Sequence, residues 1–164
     1  MKTVFALLLI LGLSSTAQAY NGPLTCAIST YNGHYLNAVG GGGRITDVIH
    51  SDATRIGGWE KFTLIDSRDG SSPIRYGIRT QSGNYLTAVG AGGRITDVIH
   101  SNATQLLAWE KFTFISLGGN VYAIQTSNGR YLTAVGGGGR ITDVLHSDAT
   151  RIGAWEKFRV KCGI

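Results

Sequence analysis

The chain has 164 residues, a formal net charge of +5 with its histidines neutral, 24 glycines, two prolines and two cysteines. A basic excess this mild, spread along the chain rather than clustered, argues against a nucleic-acid-binding protein. Three long internal repeats dominate everything after the N-terminus, and repetition is the first feature to interpret.

Residues 1–19 hold Lys2, an apolar run from Val4 to Leu13, and Ala17-Gln18-Ala19. A basic tip, a short apolar core and an A-x-A site mark a secretory signal peptide. The run falls short of the about 20 residues that a spanning helix needs. The expectation is a secreted chain starting near Tyr20, with no membrane insertion and one domain over residues 20–164. Cys26 and Cys162 sit near its two ends. Export permits a disulfide between them, the alternative being two unpaired thiols.

The repeats fall at about 26–70, 74–118 and 120–163. In the first copy, a strand at Ile28 leads into a turn at Tyr31-Asn32-Gly33. The pattern then predicts a strand over 35–39, a turn at the glycine run, a strand over 44–49, a loop over 50–58 and a strand over 59–64. Short β-rich runs bounded by Gly, Asn, Asp and Ser are the basis for these assignments. No helical period of apolar residues competes with them. Three four-stranded units are too few for a propeller. They suit an all-β protein of the β-trefoil class, a closed barrel with three capping hairpins and pseudo-threefold symmetry. Closure removes exposed sheet edges. It also makes the first and last strands neighbours, which would bring Cys26 to Cys162. Three core layers are expected: Leu36, Leu86 and Leu132; Ile45, Ile95 and Ile141; Phe62, Phe112 and Phe158. Trp59, Trp109 and Trp155 invite a sugar-stacking role, but core or lid packing is the favoured expectation.

Residues 38–54 recur almost unchanged. Copy two departs only at Ala91 and Asn102, and copy three only at Leu145. The linkers at 66–77 and 116–123 share almost nothing. Core packing accounts for Ile45, Val48 and Ile49. It does not account for Arg44, Asp47, His50, Ser51, Asp52 and Thr54, and polar loop residues often carry function. The glycine run is no phosphate loop, because it ends in Arg-Ile-Thr and opens a strand. Asp47, His50 and Asp52 form only a weak metal-ligand spacing. Ser51 beside His50 is not a triad. Asp52 with Glu60 could mimic a glycosidase pair, yet copy two carries Asn102, and an amide is neither acid nor base. Binding is therefore expected rather than catalysis, with no enzyme activity, no metal and no cofactor.

Glycine-rich turn, strand, Val-Ile-His-Ser-Asp and aromatic-x-x-Phe together resemble the mytilectin-type β-trefoil lectins, three-site proteins for galactose and N-acetylgalactosamine. In that family a histidine before a Gly-Gly turn, the turn's backbone and a later His-x-Asp-x-His hold the sugar. The first histidine is replaced here by Asn37, Thr87 and Thr133, and the last by Thr54, Thr104 and Thr150. The resemblance implies a lectin with one site per repeat and glycans of cell surfaces or glycoproteins as partners. Together with the repeated window it gives a sugar-binding set of Gly41, Asp47, His50 and Asp52 in copy one. Ala91, Asp97, His100 and Asn102 follow in copy two, and Gly137, Asp143, His146 and Asp148 in copy three. Gly-x-Tyr-Leu-x-Ala and Trp-Glu-x-Phe also resemble fascin-like trefoil repeats, whose actin-bundling role is intracellular.

The chemistry of the window suits a sugar. A glycine turn lets backbone N–H groups approach a ligand with no Cβ in the way. A carboxylate accepts from two hydroxyls in charge-assisted bonds, and an imidazole donates or accepts. Three weak sites on one body gain roughly 10²–10⁴ in avidity on a multivalent target. Asn102-Ala103-Thr104 is an N-glycosylation sequon. The competing reading is an exported protein-interaction module, an inhibitor or targeting subunit, using the diverged turns at 32–34, 82–84 and 128–130. A purely structural role is a third, and the fold alone does not choose among them.

Overall fold

A computed structural model describes residues 22–164. The signal-peptide expectation for residues 1–19 lies outside them. The first copy supplies β1 (Leu24–Ser29), β2 (Tyr35–Ala38), β3 (Ile49–Ala53) and β4 (Phe62–Asp66). The second supplies β5 (Arg75–Arg79), β6 (Tyr85–Ala88), β7 (Ile99–Ala103) and β8 (Lys111–Ser116). The third supplies β9 (Val121–Gln125), β10 (Tyr131–Ala134), β11 (Leu145–Ala149) and β12 (Phe158–Cys162).

Six of these strands close on themselves. β1 pairs with β4, β4 with β5, β5 with β8, β8 with β9, β9 with β12 and β12 with β1, all antiparallel. The other six form the hairpins β2–β3, β6–β7 and β10–β11. This is the β-trefoil expected from the repeats. The closing β1–β12 pair puts Cys26 opposite Cys162, and the two form a disulfide across 136 residues of sequence. Closing so long a loop contributes up to roughly 4–5 kcal/mol in chain-entropy terms.

Two expected core layers are in place. Leu36, Leu86 and Leu132 are buried, as are Phe62, Phe112 and Phe158. Full burial of each such side chain contributes about 1.5–3 kcal/mol. The third layer is not core: Ile45, Ile95 and Ile141 are 55–56% exposed. The reason is local. Residues 44–48 are not the expected strand and bend at 45–47, because Asp47 adopts a left-handed φ of 48°, as do Asp97 at 49° and Asp143 at 48°. Aspartate tolerates that region better than a branched residue does. The strand begins only at Ile49 and takes in His50 to Ala53, the first part of the expected loop. The fourth strand also starts later than expected, at Phe62 rather than Trp59.

β3 carries a bulge. Tyr35 opposes Ala53 and Asn37 opposes His50, so Ser51 and Asp52 together face Leu36. An extra residue of this kind re-aims its neighbours. Here it frees the buried Ser51 for another copy. Ser51 N donates to Arg140 O (2.8 Å), and Ser51 O accepts from Gly139 N (2.7 Å). Arg140 N donates to Ser51 Oγ at 3.1 Å. Ser101 receives Gly43 and Arg44 in the same way, and Ser147 receives Gly93 and Arg94. Copy one thus clasps copy two, two clasps three, and three clasps one.

The clasp demands glycine. A Cβ on Gly138 would fall inside the contact shell of Thr30 Oγ1 and 2.7 Å from the Thr30 Cβ. Gly42 meets Thr80 and Gly92 meets Thr126 equally closely. All three glycines also have φ between 106° and 111°. Gly33, at φ +91°, has nothing within 4 Å of a built Cβ. Gly33→Ala therefore suffers only the backbone penalty of about 1–2 kcal/mol. Gly138→Ala adds a steric clash inside a closed ring and is expected to cost about 3 kcal/mol or more. Urea unfolding of the two variants checks this, and equal losses would contradict the clasp.

Candidate functional site

The recurring polar residues divide between two kinds of place. The first is the pseudo-threefold axis. Residues 45–49, 95–99 and 141–145 line a depression of about 680 Å³ there. The three displaced isoleucines form part of its wall. At each edge the His50-type Nε2 lies 2.6–2.7 Å from the Asp47-type Oδ1. The other carboxylate oxygen sits 3.5–3.6 Å from the Arg44-type guanidinium. That arginine also donates Nε to the Thr46-type carbonyl at 3.2 Å. Both oxygens of Asp47, Asp97 and Asp143 are thus engaged within their own turns. Exposed pairs of this sort contribute little stability, but they fix the bends and orient the His50, His100 and His146 rings. Among the described residues no group of three His, Cys, Asp or Glu is placed to hold a metal ion.

The second kind of place is the junction between copies. Gly41 turns with φ +83° beneath the exposed indole of Trp59, whose Cδ1 and Nε1 lie 3.7 Å from a built Cβ. Gln81 of copy two also reaches this position, with Oε1 at 3.3 Å. The Gly41 carbonyl accepts from Ser82 N at 2.8 Å. Gly137 repeats the arrangement with Trp155 (3.6 and 3.7 Å) and with Tyr31 of copy one at 3.9 Å. Its carbonyl accepts from Asn32 N at 3.0 Å. At the remaining junction Ala91 takes the glycine position with φ 69° and bonds to Asn128 N at 3.2 Å.

The tryptophans are not core. Trp59, Trp109 and Trp155 are each 47% exposed. Each lies in a tight turn before the fourth strand of its copy, and the following glutamate ties that turn down. Glu60, Glu110 and Glu156 accept from the amides of Gly57, Leu107 and Gly153. Glu110 and Glu156 also accept from Thr87 and Thr133 Oγ1 at 2.6 Å. These carboxylates serve as structural ties.

Asp52, Asn102 and Asp148 are exposed at the outer end of the hairpins. The Asp52 and Asp148 carboxylates make no hydrogen bond or ion pair with any described residue. The diverged turns reach the same strands: Asn84 Nδ2 donates to Asn102 O and Arg130 Nη1 to Asp148 O, both at 3.2 Å. Asp52 follows Ser51, which bonds Gly139, so it borders the junction between copies three and one on the Gly139 side. Asn102 borders the junction between copies one and two in the same way, and Asp148 that between copies two and three. Each junction is a composite of two copies, which comparison of the copies in isolation did not reveal. It also missed Tyr31, Gln81 and the lysines after the Trp-Glu pairs. An aromatic in an otherwise diverged turn was the available signal for Tyr31.

The lysines differ between copies. Lys111 Nζ sits 3.1 Å from Asp69 Oδ2, alongside Arg75. Ser71, Lys111 and Arg75 hold the Asp69 carboxyl well below its ordinary value, against the opposing push of partial burial. Lys61 and Lys157 make no ion pair with any described residue.

No protein-family model and no curated protein sequence matches the chain. Solved structures do match it. A designed threefold-symmetric protein, ThreeFoil, aligns at 14% identity with a TM-score of 0.68, covering 84% of this chain and 97% of its own. The Rhizoctonia solani agglutinin aligns at 14% identity and TM-score 0.68 over 88% of this chain and 99% of its own. SeviL, solved bound to asialo-GM1 saccharide, aligns at 13% identity and TM-score 0.62 over 85% and 97%. Identities this low establish the class of architecture, the β-trefoil.

A carboxyl held low in the folded state stabilises the fold above its unfolded value of 3.8 and loses that contribution as pH falls. Asp69→Asn should therefore be less stable than the native chain at pH 7. The gap should narrow progressively below about pH 4. Urea midpoints between pH 3 and 7 test this, and a gap independent of pH would contradict it.

Proposed function

We propose that this protein is a secreted, multivalent carbohydrate-binding protein for galactose- and N-acetylgalactosamine-type glycans, with one binding region per repeat. The observation that carries the reading is the threefold recurrence of a half-exposed indole edge against a backbone turn almost stripped of side chains. A sugar presents an apolar C–H face and a rim of hydroxyls. An exposed indole suits the face, and a bare turn and an unpaired carboxylate suit the rim. Each region is shallow, so affinity for a surface comes from engaging several together.

Other observations agree. An agglutinin and a saccharide-bound protein share the fold. The glutamates that a hydrolase could have used are committed to tying down their own turns, and Asn102 replaces an aspartate, so binding is the better reading than catalysis. The leader-like residues 1–19 and a disulfide both suit secretion. The targets are then glycans of cell surfaces or glycoproteins. Asn102 is exposed within its sequon, and a glycan attached there would cover the region next to Trp59.

The double variant Asp52→Ala with Asp148→Ala removes two carboxylates that hold nothing in the fold. Its unfolding free energy should stay within about 0.5 kcal/mol of the native value. Its affinity for a galactose-terminated surface should fall roughly tenfold or more, the scale of a lost charge-assisted hydrogen bond. Surface plasmon resonance on an immobilised glycoprotein reads this out. Undiminished binding would remove these carboxylates from the site.

A further inference from the structure

The three junctions share a plan but not a composition. The junction between copies three and one places two exposed rings, Trp155 and Tyr31, against Gly137. Tyr31 is 63% exposed. Gln81 takes its place between copies one and two, and Ser127 between copies two and three. Tyr31 also borders a cavity of about 120 Å³ lined by Thr30, Lys157 and Arg159. Lys157 and Arg159 are both exposed, and neither makes an ion pair with any described residue. Glu156, the acidic residue between Trp155 and Lys157, is committed to Gly153 N and Thr133 Oγ1. Asp52 enters this junction from the Gly139 side, through the bonded neighbour Ser51.

We infer that the junction between copies three and one is the dominant glycan site and that it selects galactose-type sugars bearing an anionic substituent, a carboxylate or a sulfate. This rests on the carbohydrate-binding reading above. The aromatic pair holds the sugar ring, Asp52 and the turn backbone take its hydroxyls, and the anionic group turns past Tyr31 towards Lys157 and Arg159. A cavity of about 120 Å³ exceeds the roughly 30 Å³ share of one water several-fold, so it accommodates a sulfate or carboxylate. Two cations with no carboxylate of their own attract such a group and give it charge-assisted hydrogen bonds.

The other junctions lack this combination. Between copies one and two, Lys61 and Arg79 line the corresponding cavity, but Thr63 occupies the position of Arg159 and Gln81 stands in for the second ring. In copy two Lys111 is held by Asp69, and Thr113 occupies the position of Arg159.

The test uses three glycans with one galactose-terminated core: unsubstituted, sulfated, and capped with a carboxylate sugar. Binding to the folded protein is measured by calorimetry in low and in elevated salt. At least one anionic form is expected to bind roughly fivefold to tenfold more tightly than the neutral one at low salt, as two exposed charge contacts allow. That advantage should shrink in elevated salt. Lys157→Gln with Arg159→Gln should abolish the advantage while leaving neutral-glycan affinity and melting temperature unchanged. Lys61→Gln with Arg79→Gln should preserve it, and Tyr31→Gln should weaken all three glycans. A preference for sulfate over carboxylate, or the reverse, identifies the substituent and supports the inference. Equal binding of neutral and anionic glycans, or an advantage that survives in Lys157→Gln with Arg159→Gln, overturns the inference and leaves the carbohydrate reading standing. No binding to any of the three overturns both.

Discussion

The structure depends on one steric constraint, the approach of each glycine turn to a threonine of the next copy. At Gly42, Gly92 and Gly138 the backbone lies against Thr80, Thr126 and Thr30 with no room for a side chain. That closeness lets the Gly-Arg segment of one copy exchange hydrogen bonds with the buried serine of the next. Three such exchanges close a ring around the axis, as the six barrel strands close a ring beneath it. The disulfide pins the one place where the ring is not continuous in sequence. The near-identity of residues 38–54 across the copies follows in large part from this. Each turn must fit the one neighbour that it clasps, so a change on one side of a junction needs a matching change on the other.

The clasp also decides where a ligand could bind. It draws the turn, an indole from the same copy and a diverged turn from the next copy into one junction. The turn and the indole recur, while the diverged turn supplies Tyr31, Gln81 or Ser127. A repeated frame with a variable third wall gives three related but unequal regions on one rigid body. In the proposed carbohydrate-binding reading, multivalency comes from the repeat and selectivity from its divergence. The Arg44–Asp47–His50 networks stand apart from this, since they spend their polar groups on shaping the rim of the axial depression.

The parts of this arrangement that were legible in the sequence are those with local or periodic causes. Leu36, Phe62 and their equivalents sit in short strands bounded by turn residues, and they are buried as expected. The Cys26–Cys162 pairing followed once three four-stranded units implied a closed barrel. Residues 44–48 misled because Ile45, Val48 and Ile49 looked like a strand, whereas the left-handed aspartate between them breaks it. The exposure of Trp59, Trp109 and Trp155 was illegible for a different reason. A tryptophan followed by a phenylalanine three residues on reads as core. Only the turn fixed by the intervening glutamate, and the neighbouring copy's loop, leave the indole at the surface. Contacts between copies are long-range, and no pattern within one copy encodes them.

The three indole N–H resonances offer a separate reporter for each junction, and the most direct measurement is a ¹⁵N-correlated titration of the folded protein with a galactose-terminated glycan. The account predicts saturable shifts of tryptophan indole signals, largest at Trp155, accompanied by the amides of Gly137 and Tyr31. Shifts confined to the axial residues around Ile45, Ile95 and Ile141, or no shifts at all, would contradict it.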